Sequence, residues 1–131
     1  MIVLDTHVLV WWIGGDPKLS RKASDTIRKE LPNGNLGIPA ISAWEVGMLV
    51  AKGRLALGMD IDEWLNILLS VLNVTLLPLT AQAALDSTRL PGDFHGDPAD
   101  RMIVATARAE NAPLVTADQR IRAYRHVRTI W

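Results

Sequence analysis

The sequence predicts an α/β protein built on a parallel sheet, and three observations carry that prediction. Short apolar runs alternate with helical stretches along all 131 residues, and no repeat, low-complexity tract or linker-like segment interrupts them. Carboxylates recur where an apolar run, or the approach to a helix, hands over to a helix start. Strands alternating with helices imply right-handed crossovers and a ligand site outside the carboxyl ends of the strands.

Taken in order, Ile2-Val3-Leu4 reads as a short buried strand, followed by an apolar helix over residues 6–13 that Gly14-Gly15 closes. Residues 20–31 form a charged amphipathic helix ended by Pro32-Asn33-Gly34. Leu36-Gly37-Ile38 is the second strand, and residues 42–52 a helix stopped by Gly53. A helix over 62–72, a strand over 74–77 and a helix over 80–88 follow, then a loop over 89–96 carrying Pro91, Gly92 and Gly96. The clearest helix is 98–110, because Asp97 can cap it and Pro98 suits its first position. Leu114-Val115-Thr116 and residues 127–130 supply the last two strands.

This length fits one domain, residues 1–131, large enough to bury a core without staples. With no cysteine, a disulfide framework and thiolate metal ligation are both excluded, so any metal binds through oxygen. Apolar runs such as residues 8–13 fall far short of the roughly 18 residues a membrane span needs, and Met1 to Asp5 lacks the charged start of a signal peptide. The expectation is a soluble, cytoplasmic protein. Lys plus Arg equals Asp plus Glu at 14 each, so net charge carries no nucleic-acid signal. Local segregation does occur: Arg120, Arg122, Arg125, Arg128 and His126 fall in an acid-free stretch, which reads equally as a solvated helix face and tail or as a phosphate-contacting patch.

Four acids stand out: Asp5, Glu45, Asp100 and Asp118. Helical spacing aligns Asp100 with Ile103, Val104 and Ala107, which puts a charge on the face that ought to be buried. Each acid alone has a structural explanation. Ser42-Ala43-Trp44-Glu45 has the form of a capping box, Asp100 holds the equivalent position after Asp97, and Asp5 and Asp118 can cap the helices that follow them. In a parallel sheet, however, helices that follow strands start on one edge, so such caps gather above one small area. There they repel by about 4 kcal/mol per pair at 4 Å and an effective dielectric near 20 unless a cation neutralises them. Oxygen-only coordination suits Mg²⁺ or Mn²⁺, which activate water and polarise a phosphoryl group, so phosphodiester hydrolysis is the expected chemistry.

No phosphate-cradling Gly-x-x-x-x-Gly-Lys loop, Gly-x-Ser-x-Gly elbow or His-Glu-x-x-His pair competes with that reading. Of the histidines, His7 suits a surface or packing role and His95 is a candidate for substrate contact. The five tryptophans, Trp11, Trp12, Trp44, Trp64 and Trp131, suit core or a partner surface better than base stacking. Two other functions stay open on the residues alone. A Mg²⁺-dependent phosphatase uses acids above a parallel sheet, although Asp5-Thr6-His7 lacks the second acid two residues on. A silent binding module would use the acids only as caps.

With these residues in view, the chain resembles the PIN-domain ribonucleases and, within them, the VapC toxins of type II toxin–antitoxin pairs. The resemblance runs through Leu4-Asp5-Thr6-His7 with Trp11-Trp12, Ile41-Ser42-Ala43-Trp44-Glu45-Val46, His95-Gly96-Asp97-Pro98-Ala99-Asp100-Arg101 and Val115-Thr116-Ala117-Asp118. It implies a three-layer α/β/α PIN-like fold, with Asp5, Glu45, Asp100 and Asp118 holding Mg²⁺ or Mn²⁺ and Thr116 supporting the site. It also implies cleavage of RNA, homodimerisation, and inhibition by a cognate antitoxin whose C-terminal segment occupies the active-site groove. In the mechanism this suggests, Asp5, Asp100 and Asp118 hold the first metal and Glu45 positions a second metal or the attacking water, leaving a 5′-phosphate. Thr6 stands with the supporting residues, and Arg101 would pair with a neighbouring acid or contact RNA phosphate. Ala99 departs from the subgroup, where a bulky aromatic is frequent; the acidic set is intact and only local packing is affected.

Overall fold

The computed structural model describes residues 1–131. Five strands form one sheet: β1 (Ile2–Leu4), β2 (Leu36–Pro39), β3 (Val74–Leu77), β4 (Leu114–Val115) and β5 (Thr129–Ile130). Their spatial order is β3-β2-β1-β4-β5 and every neighbouring pair is parallel. The helices are α1 (Thr6–Gly14), α2 (Arg21–Glu30), α3 (Ile41–Ala51), α4 (Ile61–Ser70), α5 (Ala81–Ser87), α6 (Pro98–Ala109) and the short α7 (Gln119–Arg122).

Side chains alternate across the central strand and so feed two cores. Ile2 and Leu4 join Val8 and Leu9 of α1, Ile27 of α2, Val46 of α3 and Trp64 and Leu68 of α4 on one face. Val3 points the other way, to Ile103, Val104 and Ala107 of α6, Leu114 of β4 and Ile121 of α7. Helices therefore cover both faces of the sheet, giving the expected three layers. The strands β1, β2 and β4 are buried throughout, which is also why they carry so few polar side chains, whereas β3 at the sheet edge leaves Thr75 and Leu76 exposed.

Most element ends fall within two residues of the sequence reading, and the differences have local causes. The α2 helix stops at Glu30 because Pro32 lacks an amide hydrogen, and the chain tightens into a 3₁₀ turn over Leu31–Asn33 that Gly34 ends at φ 70°. In α4 the cap is Asp60, whose carboxylate accepts from the Asp62 amide at 3.0 Å, so the helix starts and ends earlier than the pattern suggests. The capping box at Ser42 is a correction: α3 already begins at Ile41, its cap position is Ala40, and no side chain caps it. The buried Ser42 hydroxyl instead accepts a hydrogen bond from Thr6 Oγ1 at 3.0 Å. Pairing with β3 brings this about, since the Ala40 amide is used by the Leu77 carbonyl at 2.8 Å and the turn into α3 closes one residue early.

The strand order decides where the site lies. From β1 the chain moves to β2 on one side and reaches β4 on the other, so β1 and β4 flank the point where the order reverses, and a crevice opens beyond their carboxyl ends. Asp5 is the first residue past β1, and Thr116 the first past β4.

Candidate functional site

Asp5 is 4 % exposed and both of its oxygens are engaged. One accepts from the Thr6 amide at 2.8 Å, capping α1; the other accepts from Thr116 Oγ1 at 2.7 Å. Thr116 in turn accepts from the Asp118 amide at 3.1 Å, which ties the ends of β1 and β4 together across the crevice. Asp118 caps α7, accepting from the amides of Arg120 and Ile121 at 2.8 and 3.4 Å.

From α6, Asp97 caps the helix by accepting from the Asp100 amide at 3.2 Å. The Asp100 carboxylate does not turn back to complete a capping box. It faces His95, whose Nε2 lies 2.6 Å from Oδ2, within hydrogen-bonding distance. Asp100 is 8 % exposed and Ile103, Val104 and Ala107 are fully buried, as the helical spacing predicts. Glu45, also 8 % exposed, projects from α3. Ligand oxygens of Glu45, Asp97 and Asp100 all lie within 4.8 Å of one another.

Sequence reasoning thus identified Glu45 and Asp100 in this tight group and assigned Asp97 to capping alone. Asp97 does both, because a capping carboxylate uses one oxygen and keeps the other. Its place one turn ahead of Asp100 was the available signal. Asp5 and Asp118 stand outside the tight group and join it through Thr116 and through Arg120, whose guanidinium reaches Asp100 Oδ2 at 3.6 Å and Asp118 Oδ2 at 3.5 Å. Arg120 therefore reaches the site from the arginine patch while its side chain stays largely solvated, 62 % exposed. In that patch Arg128 donates to the Asn111 carbonyl at 2.8 Å, whereas Arg122 and Arg125 are exposed.

Electrostatics bear out the crowding. Burial, reinforced by the charge of Asp100, raises the Asp5 carboxyl from 3.8 to about 6 against the opposing hydrogen bonds of Thr116 and Thr6. Burial raises Glu45 as well, with the charges of Asp5, Asp100 and Asp97 adding to it and the Thr6 hydroxyl opposing. That hydroxyl carries one hydrogen and serves either Ser42 or Glu45 at a time. Asp100 is raised by burial and by Asp97 and Asp118, with His95 opposing. Burial also pushes Asp118 upward, but the amides of Arg120 and Ile121 and the Arg120 side chain outweigh it and leave this carboxyl lowered. Three acids held above their ordinary values in one crevice form a site that a cation would relieve, and the all-oxygen donor set fits Mg²⁺ or Mn²⁺.

Arg101 is placed differently from either expectation. It pairs with no acid; Nε donates to the Ser87 carbonyl at 2.7 Å and one terminal nitrogen donates to the carbonyls of Phe94 and His95 at 2.9 and 3.1 Å. Backbone carbonyls win because the loop over 89–96 and the last turn of α5, which ends at Ser87, leave them without intrahelical or strand partners. Arg101 thus holds the segment that carries His95. His7 is exposed and tilts against Trp11, Trp64 is core, and Trp44 is 56 % exposed.

Carboxylates gathered over the switch point of a small, all-parallel sheet define the class: the chain belongs to the PIN-domain family, whose model matches residues 2–127. Within it the chain is a homologue of the VapC ribonucleases, being 37% identical to the ribonuclease VapC22 of Mycobacterium tuberculosis over 132 residues, 99% of this chain and 98% of that protein. The fold agrees with solved structures. FitAcB from Neisseria gonorrhoeae matches at a TM-score of 0.72 and 20% identity, with 100% of this chain and 97% of that one covered. VapBC2 from Rickettsia felis, bound to a DNA fragment from its promoter, matches at 0.71 and 23% identity, with 99% and 98% covered. DNA-bound VapBC from Salmonella typhimurium matches at 0.71 and 16%, with 98% and 96% covered.

Proposed function

We propose that this protein is a metal-dependent endoribonuclease and the toxin of a toxin–antitoxin pair. The observation that carries the reading is the convergence of Glu45, Asp97 and Asp100 within 4.8 Å of one another, with Asp118 joined to Asp100 by Arg120 and Asp5 raised by burial and by the charge of Asp100. The 37% identity to a ribonuclease supports RNA as substrate over a small phosphate monoester.

In this reading Asp5, Glu45, Asp100 and Asp118, together with Asp97, hold Mg²⁺ or Mn²⁺. A divalent cation bound there supplies Lewis acidity at a phosphoryl oxygen and lowers the pKa of water. The chain does the rest. Thr116 and the Thr6 amide fix Asp5, and His95 fixes Asp100. Glu45, raised in pKa, accepts the proton of the attacking water. Water adds to phosphorus as its proton passes to Glu45, the bond to the 3′ oxygen breaks, that oxygen takes a proton from solvent, and the products are a 5′-phosphate and a 3′-hydroxyl. Arg120, above Asp100 and Asp118, stabilises charge on the phosphate.

Structural neighbours that are toxin–antitoxin complexes support a cognate antitoxin as partner. The exposed apolar side chains Leu69, Leu72, Leu76 and Leu85 suit a protein partner, antitoxin or second copy. No helix is long and apolar enough to cross a membrane.

The reading is tested by incubating labelled RNA with the protein and Mn²⁺ or EDTA. Cleavage with Mn²⁺ alone, leaving 5′-phosphate ends, is expected, and equal cleavage in EDTA would overturn it. Asp97→Ser separates the two functions of that residue. Serine is as good a cap, so thermal stability should stay within about 0.5 kcal/mol of wild type. The Mn²⁺ affinity, read by titration calorimetry, should fall by about tenfold or more. An unchanged affinity would remove Asp97 from the metal site.

A further inference from the structure

An open cavity of about 350 Å³ gathers arginines at the amino ends of β4 and β5, the edge of the sheet opposite the acids. Arg108, Arg125, Arg128 and His126 line it over a floor that includes Ala107 and Ala112, and no acid is on the lining. Arg108 lies two turns beyond Asp100 on α6, about 12 Å along the axis at 1.5 Å per residue, which sets the cavity apart from the acid cluster. Two of the three guanidinium groups are already held in place. Arg108 donates to the His126 carbonyl, and Arg128 donates to the Asn111 carbonyl at 2.8 Å; Asn111, at φ 49°, turns the chain at the end of α6 and presents that carbonyl. Each bond uses one of five N–H groups and leaves the others free. None of the three arginines is ion-paired, and Arg125 is exposed. Glu110, two residues past Arg108, stands on a different side of the helix axis. Bracing the tail thus explains one N–H of Arg108 and one of Arg128, and nothing of Arg125.

Three permanently charged groups around one small volume, without a counter-charge, suit a compact anion that carries several charges. Guanidinium forks match phosphoryl oxygens two at a time. A nucleic-acid strand spreads one charge per nucleotide along its backbone, and a peptide carboxylate carries one, so neither brings comparable charge to a single cavity. At about 30 Å³ for one water in the liquid, there is room for more than a single phosphate. The buried Ala107 and Ala112 keep that room open and offer no side-chain hydrogen bond, which leaves recognition to the arginines. We propose that this cavity binds a chain of linked phosphates, carried by a nucleotide or free as inorganic polyphosphate. Bound there, the anion bridges α6 to the segment that leads into β5 and stabilises the folded protein by mass action.

The test is titration calorimetry of the intact protein with sodium tripolyphosphate, in EDTA and about 0.15 M NaCl, where exposed charges more than about 8 Å apart are largely screened. Binding at one site, with a rise in Tm, is expected. Arg125→Gln alters an exposed side chain that folding does not need. It should weaken binding about fivefold or more and leave the Tm of the free protein unchanged. Arg128→Gln should weaken binding at least as much, measured at a temperature where that variant is folded. Lys22→Gln, on exposed α2, should change nothing. ATP as titrant separates the two sources: affinity equal to or above that of tripolyphosphate assigns the cavity to a nucleotide, lower affinity to bare polyphosphate, and either upholds the site. No binding of tripolyphosphate, or wild-type affinity in Arg125→Gln, overturns the proposal and leaves Arg108 and Arg128 as braces of the tail. With EDTA present throughout, the result is independent of the nuclease reading.

Discussion

Asp5→Asn is expected to destroy RNA cleavage while making the metal-free protein more stable at neutral pH. Loss of a buried carboxylate at the centre of the site should lower the rate by about a hundredfold or more, beyond what removal of an outer hydrogen-bond partner costs. The stability effect runs opposite. In the folded protein Asp5 titrates at about 6 against 3.8 when free, so the native state holds the proton more tightly than the unfolded chain. Stability therefore falls as pH rises from about 4 to about 6, and above that the whole penalty, about 3 kcal/mol, is present. Glu45 and Asp100 are shifted the same way and add to the slope. Asparagine keeps the cap on the Thr6 amide and carries no charge, although it must re-form the Thr116 contact. A gain of about 1 to 3 kcal/mol at pH 7 follows, several degrees in Tm for a chain of this size. Wild-type protein should show the same balance in thermal melts: Tm declining from pH 4 to 7 in EDTA, and a Mn²⁺-induced rise larger at pH 7 than at pH 5. A wild-type Tm that is flat across that window, or an Asp5→Asn protein that still cleaves fully, would mean that the acids do not share one site.

Arg101→Lys should unfold the protein more readily and cut activity, despite keeping the charge. The guanidinium joins three carbonyls, of Ser87, Phe94 and His95, with its Nε and one terminal nitrogen, and a lysine ammonium cannot span them. Bonds from a charged donor contribute about 1.5 to 3 kcal/mol each and are not additive, so a loss of about 3 kcal/mol is expected, roughly 10 °C in Tm. Cleavage measured well below the melting temperature should drop about tenfold or more, because His95 and through it Asp100 lose their support. Arg101→Lys retaining wild-type Tm would reinstate Arg101 as a phosphate contact.

These two residues illustrate what could and could not be read from the chain. Asp100 was legible because a single helix fixes the relation between its position and those of Ile103, Val104 and Ala107; the period of 3.6 is local, and a charge on the apolar face stands out against it. Asp5 and Asp118 were legible because each follows an apolar strand. Arg101 was not, since its partners are backbone carbonyls of a loop, and carbonyls have no sequence signature. The Ser42 capping box failed for a related reason: the pattern is local, but the turn into α3 is set by pairing with a distant strand, where the carbonyl of Leu77, 37 residues further on, takes the Ala40 amide.

Local periodicity and the residues at element ends determined the α/β class, the spans of α1 to α6 within a residue or two and the positions of the four acids at or near helix starts, since each depends on neighbours within a turn or a strand; α7 was given no span. Tertiary structure alone decided the order β3-β2-β1-β4-β5, the switch point between β1 and β4, the approach of Glu45 to Asp100 and the reach of Arg120 to Asp100. These depend on contacts between segments far apart in the chain, where one-dimensional spacing carries no information about distance.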